Sequence, residues 1–133
     1  MKKQSESPGS AKFSPGALLH AWVTEIDASI IVTDKDGIII EMNDAAIRSY
    51  EKDGGADLIG QNVLDCHPED ARQKLEDLMQ AKISNSYSIE KNGVKKIVQQ
   101  MPWFVGGEFQ GMVEIVFQIP FDLPHFIREN DPE

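Results

Sequence analysis

Cys66 and His67 stand side by side. Thiolate and imidazole are common zinc ligands, and an imidazole also ligates heme iron. A zinc site takes about four such ligands. The chain has one cysteine and three histidines, and neither His20 nor His125 forms a spaced pair with His67, so no metal site is expected. Asp34 and Asp36, two residues apart, have the types needed for paired acid–base work. Their setting, Asp-Lys-Asp-Gly between two β-branched runs, is better explained as a turn in which aspartate side chains bond the backbone. No serine or cysteine is matched to a histidine as a nucleophile, and neither a phosphate-binding glycine loop nor a HExxH pair is present. Catalysis is therefore not expected. Recognition remains. Gln99 alternates with Ile97, Met101 and Trp103 on one face of a long strand, which reads as the inner face because Lys96 falls on the other. A buried amide left unpaired costs about 1–3 kcal/mol, so a ligand, a water or the backbone must meet it.

The elements that position these residues begin with residues 29–43, SIIVTDKDGIIIEMN. Ile30 to Thr33 and Ile38 to Ile40 suit two strands, and Asp34 to Gly37 closes them into a hairpin. Asn43 or Asp44 then caps a helix over about 44–52, stopped by Asp53-Gly54-Gly55. Ala56 to Ile59 adds one turn. Pro68, followed by Glu69 and Asp70, opens a second helix whose Ala71, Leu75, Leu78 and Met79 share one face, ending near Lys82. Three strands follow: Ser86 to Ile89, a turn at Asn92-Gly93, Val94 to Val105, a turn bracketed by Gly106-Gly107 and Gly111, and Met112 to Ile119. Pro102 cannot donate to a ladder and marks an edge, a bulge or a bend. Val113, Ile115, Phe117 and Ile119 form the apolar face of the last strand, with Glu114 and Gln118 toward solvent.

Upstream, residues 1–13 read as a disordered polar tail. Ser14-Pro15 starts a helix on which Leu18, Leu19, Trp22, Val23 and Ile26 make one apolar stripe. That stripe can pack on the sheet of its own chain or against a second copy. Downstream, residues 121–133 form an extension in which Phe121, Leu123, Phe126 and Ile127 are too apolar for a free tail, and residues 130–133 should fray.

The chain has 133 residues, 41% of them hydrophobic, enough for one domain with one core over residues 14–120. Its net charge of −9 argues against nucleic acid and against an anionic membrane surface. No apolar run approaches the ~20 residues that span a bilayer. Met-Lys-Lys is followed by no apolar stretch, so no signal peptide is expected. A single cysteine suits the reducing cytoplasm.

Asp34, Asp36, Gly37, Ile38 and Asn43 together resemble the opening of a PAS domain, and the order helix, two strands, helices, three strands is similar to that family over residues 18–119. The resemblance implies an α+β fold: a five-stranded antiparallel sheet with helices on one face and an N-terminal flanking amphipathic helix. It also implies a sensory or interaction role. The implied cavity between sheet and helices would be lined by Ile31, Met42, Tyr50, Val63, Leu75, Met79, Gln99, Met101 and Ile115. Its occupant is unknown, a small molecule or another protein. Heme-binding members use a histidine on the helix that here starts at Pro68, and His67 only precedes it. A cap or a loop hydrogen bond is the simpler role for His67, with a heme or redox sensor as the alternative. Flavin-binding members carry Gly-x-Asn-Cys-Arg. Here Gly60-Gln61-Asn62 is followed by Val63, so flavin photochemistry is not expected and Cys66 reads as a small buried apolar residue. With no kinase, cyclase or DNA-binding segment in the chain, a signal would pass to a separate protein. An N-terminal helix of this kind often supports dimers in the family, so a homodimer is expected, and a pure dimerisation module without ligand is the further alternative.

Overall fold

The turn at residues 34–37 closes as its residue types require. The Asp34 carboxylate accepts from the backbone N–H of Asp36 at 2.9 Å and of Ile38 at 3.0 Å, and Gly37 takes φ 88°. The computed structural model describes residues 21–129. The expectations for the tail at residues 1–13, Ser14-Pro15, Leu18, Leu19, His20, the frayed end at residues 130–133 and the Cys66 side chain lie outside what it describes.

The turn pairs β1 (Ser29–Thr33) with β2 (Ile39–Met42). Asn43 caps α1 (Asp44–Ser49), its side chain accepting from the Ala46 N–H. The helix expected over 44–52 ends sooner: Tyr50 leaves helical geometry, and tighter single turns follow at Glu51–Asp53, Gly55–Leu58 and Val63–Cys66. Next comes α2 (Glu69–Ala81), with Pro68 as its N-cap rather than its first residue. It buries Leu75 and Leu78. The last three strands are β3 (Asn85–Lys91), β4 (Val94–Val105) and β5 (Glu108–Ile119).

The sheet runs β2-β1-β5-β4-β3, all antiparallel. The first strand thus joins the last, and β2 and β3 form opposite edges. The chain from Asn43 to Ser84 must cross from one edge to the other, so its helical turns lie over one face of the sheet. The fold is the α+β arrangement expected. A core of Ile31, Ile39, Met42, Ala46 and Leu58 sits under α1.

Three expectations about the last strands are corrected. Gly111 is not part of a turn; the turn is Gly106-Gly107 alone, and β5 resumes at Glu108. The bend anticipated at Pro102 falls one residue on, as a register shift between Trp103 and Phe104. The third correction concerns the faces. Val98 pairs with Val116, Gln100 with Glu114, Pro102 with Met112, and Ile31 with Glu114. Residues directly opposite in a ladder point the same way, so these lie on the helix-covered face with buried Ile31, Val98 and Met112. Gln99, Met101 and Ile115, placed inside from the sequence, lie on the outer face, whereas Glu114, placed outside, lies inside. The outer face is itself apolar, so polarity alone did not distinguish the two. None of the helices among the described residues is long and apolar enough to cross a membrane.

Candidate functional site

Between the sheet and its helical roof lies a cavity of about 370 Å³. The sheet contributes Ile31, Thr33, Ile39, Gln100, Met112, Val113 and Glu114; the roof contributes Tyr50, Asp53, Leu58, Gln61, Val63, His67, Leu75 and Met79. This volume falls within the ~300–1,000 Å³ of ordinary small-molecule sites, which also combine apolar walls with a few aimed polar groups.

The roof is held by backbone bonds to the hairpin. The Val63 N–H donates to Gly37 O at 2.8 Å, the Ile39 N–H to Gln61 O at 2.9 Å, and the Gly60 N–H to Ile39 O at 2.8 Å. The Asn62 carboxamide fixes the next turn, accepting from the Leu64 N–H at 2.9 Å and donating to Asp36 O at 3.3 Å. Gln61 and Val63 therefore reach the cavity because the Asp34–Gly37 turn anchors the loop that carries them.

His67 closes another side. Its Nδ1 lies 2.7 Å from Val63 O. A carbonyl oxygen only accepts, so Nδ1 carries the proton, and in the neutral ring Nε2 keeps its lone pair. The loop hydrogen bond expected of His67 is thus present, and the ring also lines the cavity.

The floor holds a directed chain of hydrogen bonds across three strands. Asn85 Nδ2 donates to Gln100 Oε1 at 3.0 Å, and Gln100 Nε2 donates to Glu114 Oε2 at 3.2 Å. Having accepted on its oxygen, the Gln100 amide must present its nitrogen to Glu114. The chain ends on a half-buried carboxylate that forms no ion pair among the described residues.

Tyr87, next to this chain on β3, is affected by it. Burial, and second the Glu114 charge, push its phenol above the ordinary value of 10.0. The folded state therefore holds this proton more tightly than the unfolded state, so this contribution to stability is lost as pH climbs above 10.0 and through the folded value. Glu114→Gln should move the Tyr87 ionisation downward while burial keeps it above 10.0. The check is phenolate absorbance against pH, taken as the difference between each protein and its Tyr87→Phe counterpart.

Of the residues anticipated from sequence, the cavity brings together Ile31, Tyr50, Val63, His67, Leu75 and Met79. Met42 is buried in the core and borders a separate hollow with Val23, Ile30 and Ile59. Gln99, Met101 and Ile115 are on the far face, where Gln99 accepts from the Ser86 hydroxyl. Gln100, Met112 and Glu114 take the places anticipated for them. Thr33, Ile39, Asp53, Leu58 and Gln61 were not anticipated. A usable signal was the two-residue turn at Asn92-Gly93: it pairs Lys91 with Val94, and so Tyr87 with Val98 and Asn85 with Gln100.

A family model described as the PAS fold matches residues 17–102. Among solved structures, the chain is similar to a PAS domain from Colwellia psychrerythraea, with 19% identity, a TM-score of 0.60, and 80% of this chain and 98% of that one covered. It is similar to a sensory box sensor histidine kinase from Vibrio cholerae, with 16% identity, a TM-score of 0.52, and coverage of 80% and 93%. A third is a Vibrio cholerae receptor described as a dual PAS-heme oxygen sensor, with 19% identity, a TM-score of 0.51, and coverage of 70% and 95%. Comparison with curated proteins finds no match.

Proposed function

We propose a sensory function from this premise: the chain belongs to the PAS fold family. PAS domains are typical of sensor proteins in signal transduction, and the specific reading is that this one takes up a small molecule between its sheet and its helices. It carries out no catalysis. Occupancy shifts the population of sheet and helix arrangements, and a separate signalling protein in the cytoplasm reads the change. The observation that supports this is the cavity of about 370 Å³, with apolar walls and an aligned polar floor ending on Glu114.

Val63→Phe tests it. Val63 lines the cavity on a short turn, so a larger side chain there can occupy existing space rather than strain a filled core. Native mass spectrometry of gently purified protein should show a retained small molecule in the natural chain and little or none in the variant. A fully empty natural chain that no compound collection stabilises would overturn the ligand reading.

One observation favours a heme sensor instead: a histidine whose Nδ1 proton is held by a carbonyl presents Nε2 for ligation. The charges do not fit, because Asp53 and Glu114 line the same cavity, no lysine or arginine among the described residues does, and heme carries two propionates. A Soret absorbance band lost in His67→Ala would decide for heme. A pure dimerisation module is favoured by the extension after β5, where Phe121, Leu123, Phe126 and Ile127 are 55%, 55%, 72% and 78% exposed. On either reading we expect a homodimer, and a monomer mass by light scattering at micromolar concentration would count against it.

A further inference from the structure

We infer that the ligand is a small organic cation, a protonated amine on an aryl or alkyl body, with its ammonium group held by Glu114. This deepens the ligand-binding reading and rests on it.

The ionisable side chains around the cavity are Tyr50, Asp53, His67 and Glu114, with no lysine or arginine among the described residues. Lys74 borders a neighbouring hollow that shares His67, Leu75 and Gln100 with the cavity. In a chain of net charge −9, the field in a cleft walled by carboxylates and low-dielectric side chains concentrates cations and repels anions.

Glu114 sets where the charge goes. Its Oε2 receives one neutral amide hydrogen bond, from Gln100 at 3.2 Å. A carboxylate has acceptor sites for about four hydrogen bonds, and a half-buried one without a counter-charge is unfavourable unless paired. An ammonium group supplies both the charge and several donors. The direction of the floor agrees: Asn85 donates to Gln100 and Gln100 donates to Glu114, so the network ends on an acceptor and requires a donor from whatever enters. Ile31, Leu58, Leu75, Met79 and Met112 then offer apolar walls to the body of the ligand, and the volume of about 370 Å³ has room for a body of at least one ring or a short chain.

The test uses three probes of nearly one shape on the full chain near neutral pH: benzylammonium, benzyl alcohol and benzoate. Titration calorimetry should show benzylammonium binding at least about tenfold more tightly than benzyl alcohol, as expected for one charge-assisted hydrogen bond, with benzoate weaker still. Glu114→Gln keeps the shape and an oxygen to accept from Gln100, so it should fold with an unchanged circular dichroism spectrum while the preference for benzylammonium falls to within about twofold. If benzyl alcohol binds as tightly as benzylammonium and Glu114→Gln changes neither, the cavity takes ligands but the charge assignment is wrong. If benzoate binds best, the assignment is also wrong. If none of the three binds, the assignment fails together with the ligand reading beneath it.

Discussion

Gly111→Ala should cost at least ~4 kcal/mol and leave much of the chain unfolded, given that a domain of this size is stable by about 5–15 kcal/mol. The reason is a close approach between strands. A Cβ built on Gly111 would lie 2.0 Å from the backbone oxygen of Thr33 and 2.7 Å from the carbonyl carbon of Asp34. Real Cβ atoms do not come so close, and both neighbours are backbone, so no side-chain rotation relieves the clash. The carbonyl is also in use: Trp103, opposite Gly111 on β4, donates its indole N–H to Thr33 O at 3.0 Å. The next residue, Met112, donates its N–H to the Thr33 hydroxyl at 3.2 Å. An added methyl group would push Thr33 away and break this cluster where β1 meets β5, the joint that closes the sheet. Thr33 and Met112 also line the cavity, so, on the ligand-binding function proposed above, any folded remainder should retain less ligand. Gly107→Ala is the control: its φ is +83° with nothing within 4 Å of an added Cβ, so only backbone strain of about 1–2 kcal/mol is expected. Denaturant titration of both variants decides; a Gly111→Ala loss no larger than the control would show that β1 and β5 separate easily.

That close approach could not be read from the sequence, because a glycine in a strand has several uses and the partner is 78 positions away by residue number. Local chemistry was legible. Asp34, Gly37 and Asn43 act through atoms a few residues off, so their types alone fixed the hairpin and the cap. The buried face of α2 was legible too, since Leu75, Leu78 and Met79 repeat at helical spacing. What failed was the choice of face on β4 and β5. Alternation divides a strand into two sets of residues but does not say which set is roofed. Apolar content is a guide only when one face meets water, and here Ile97, Met101, Ile115 and Phe117 form an apolar outer face while Gln100 and Glu114 face the cavity. A polar pair inside, facing a cavity that Ile31, Tyr50, Val63, His67, Leu75 and Met79 also line, departs from the pattern of a plain core and fits the ligand site proposed above. The misplacement thus coincides with the candidate site, because there the sequence departs from the rule that buries apolar residues.

Asn43→Ala should destabilise the protein by about 3–4 kcal/mol, more than a lost helix cap explains. A cap contributes about 1 kcal/mol. Asn43, only 8% exposed, does more: its oxygen accepts from the Ala46 N–H at 3.1 Å and from the Ile30 N–H at 2.9 Å. Its nitrogen donates to Val23 O at 2.9 Å and to Ala28 O at 2.8 Å. One side chain thus joins the start of β1, the start of α1 and the helical segment at residues 21–24. Alanine leaves four backbone groups without this partner, each worth roughly 1 kcal/mol. Asn43→Asp separates the two roles. Aspartate is as good a cap as asparagine in an isolated helix, so if capping were the whole function this variant would be nearly neutral. In this site it sets a second carboxylate oxygen against the carbonyls of Val23 and Ala28, both acceptors. At neutral pH the loss should therefore match or exceed that of alanine. The native setting also raises the pKa of the introduced carboxyl, so the deficit should shrink as pH falls through that raised value and the group gains a proton to donate. Denaturant titration at two pH values measures both effects. Hydrogen exchange over residues 21–26 adds the structural readout, since freeing Val23 should loosen that segment ahead of the sheet. An Asn43→Asp variant within about 0.5 kcal/mol of the natural chain, with exchange there unchanged, would reduce Asn43 to a cap and remove the link between the N-terminal segment and the hairpin.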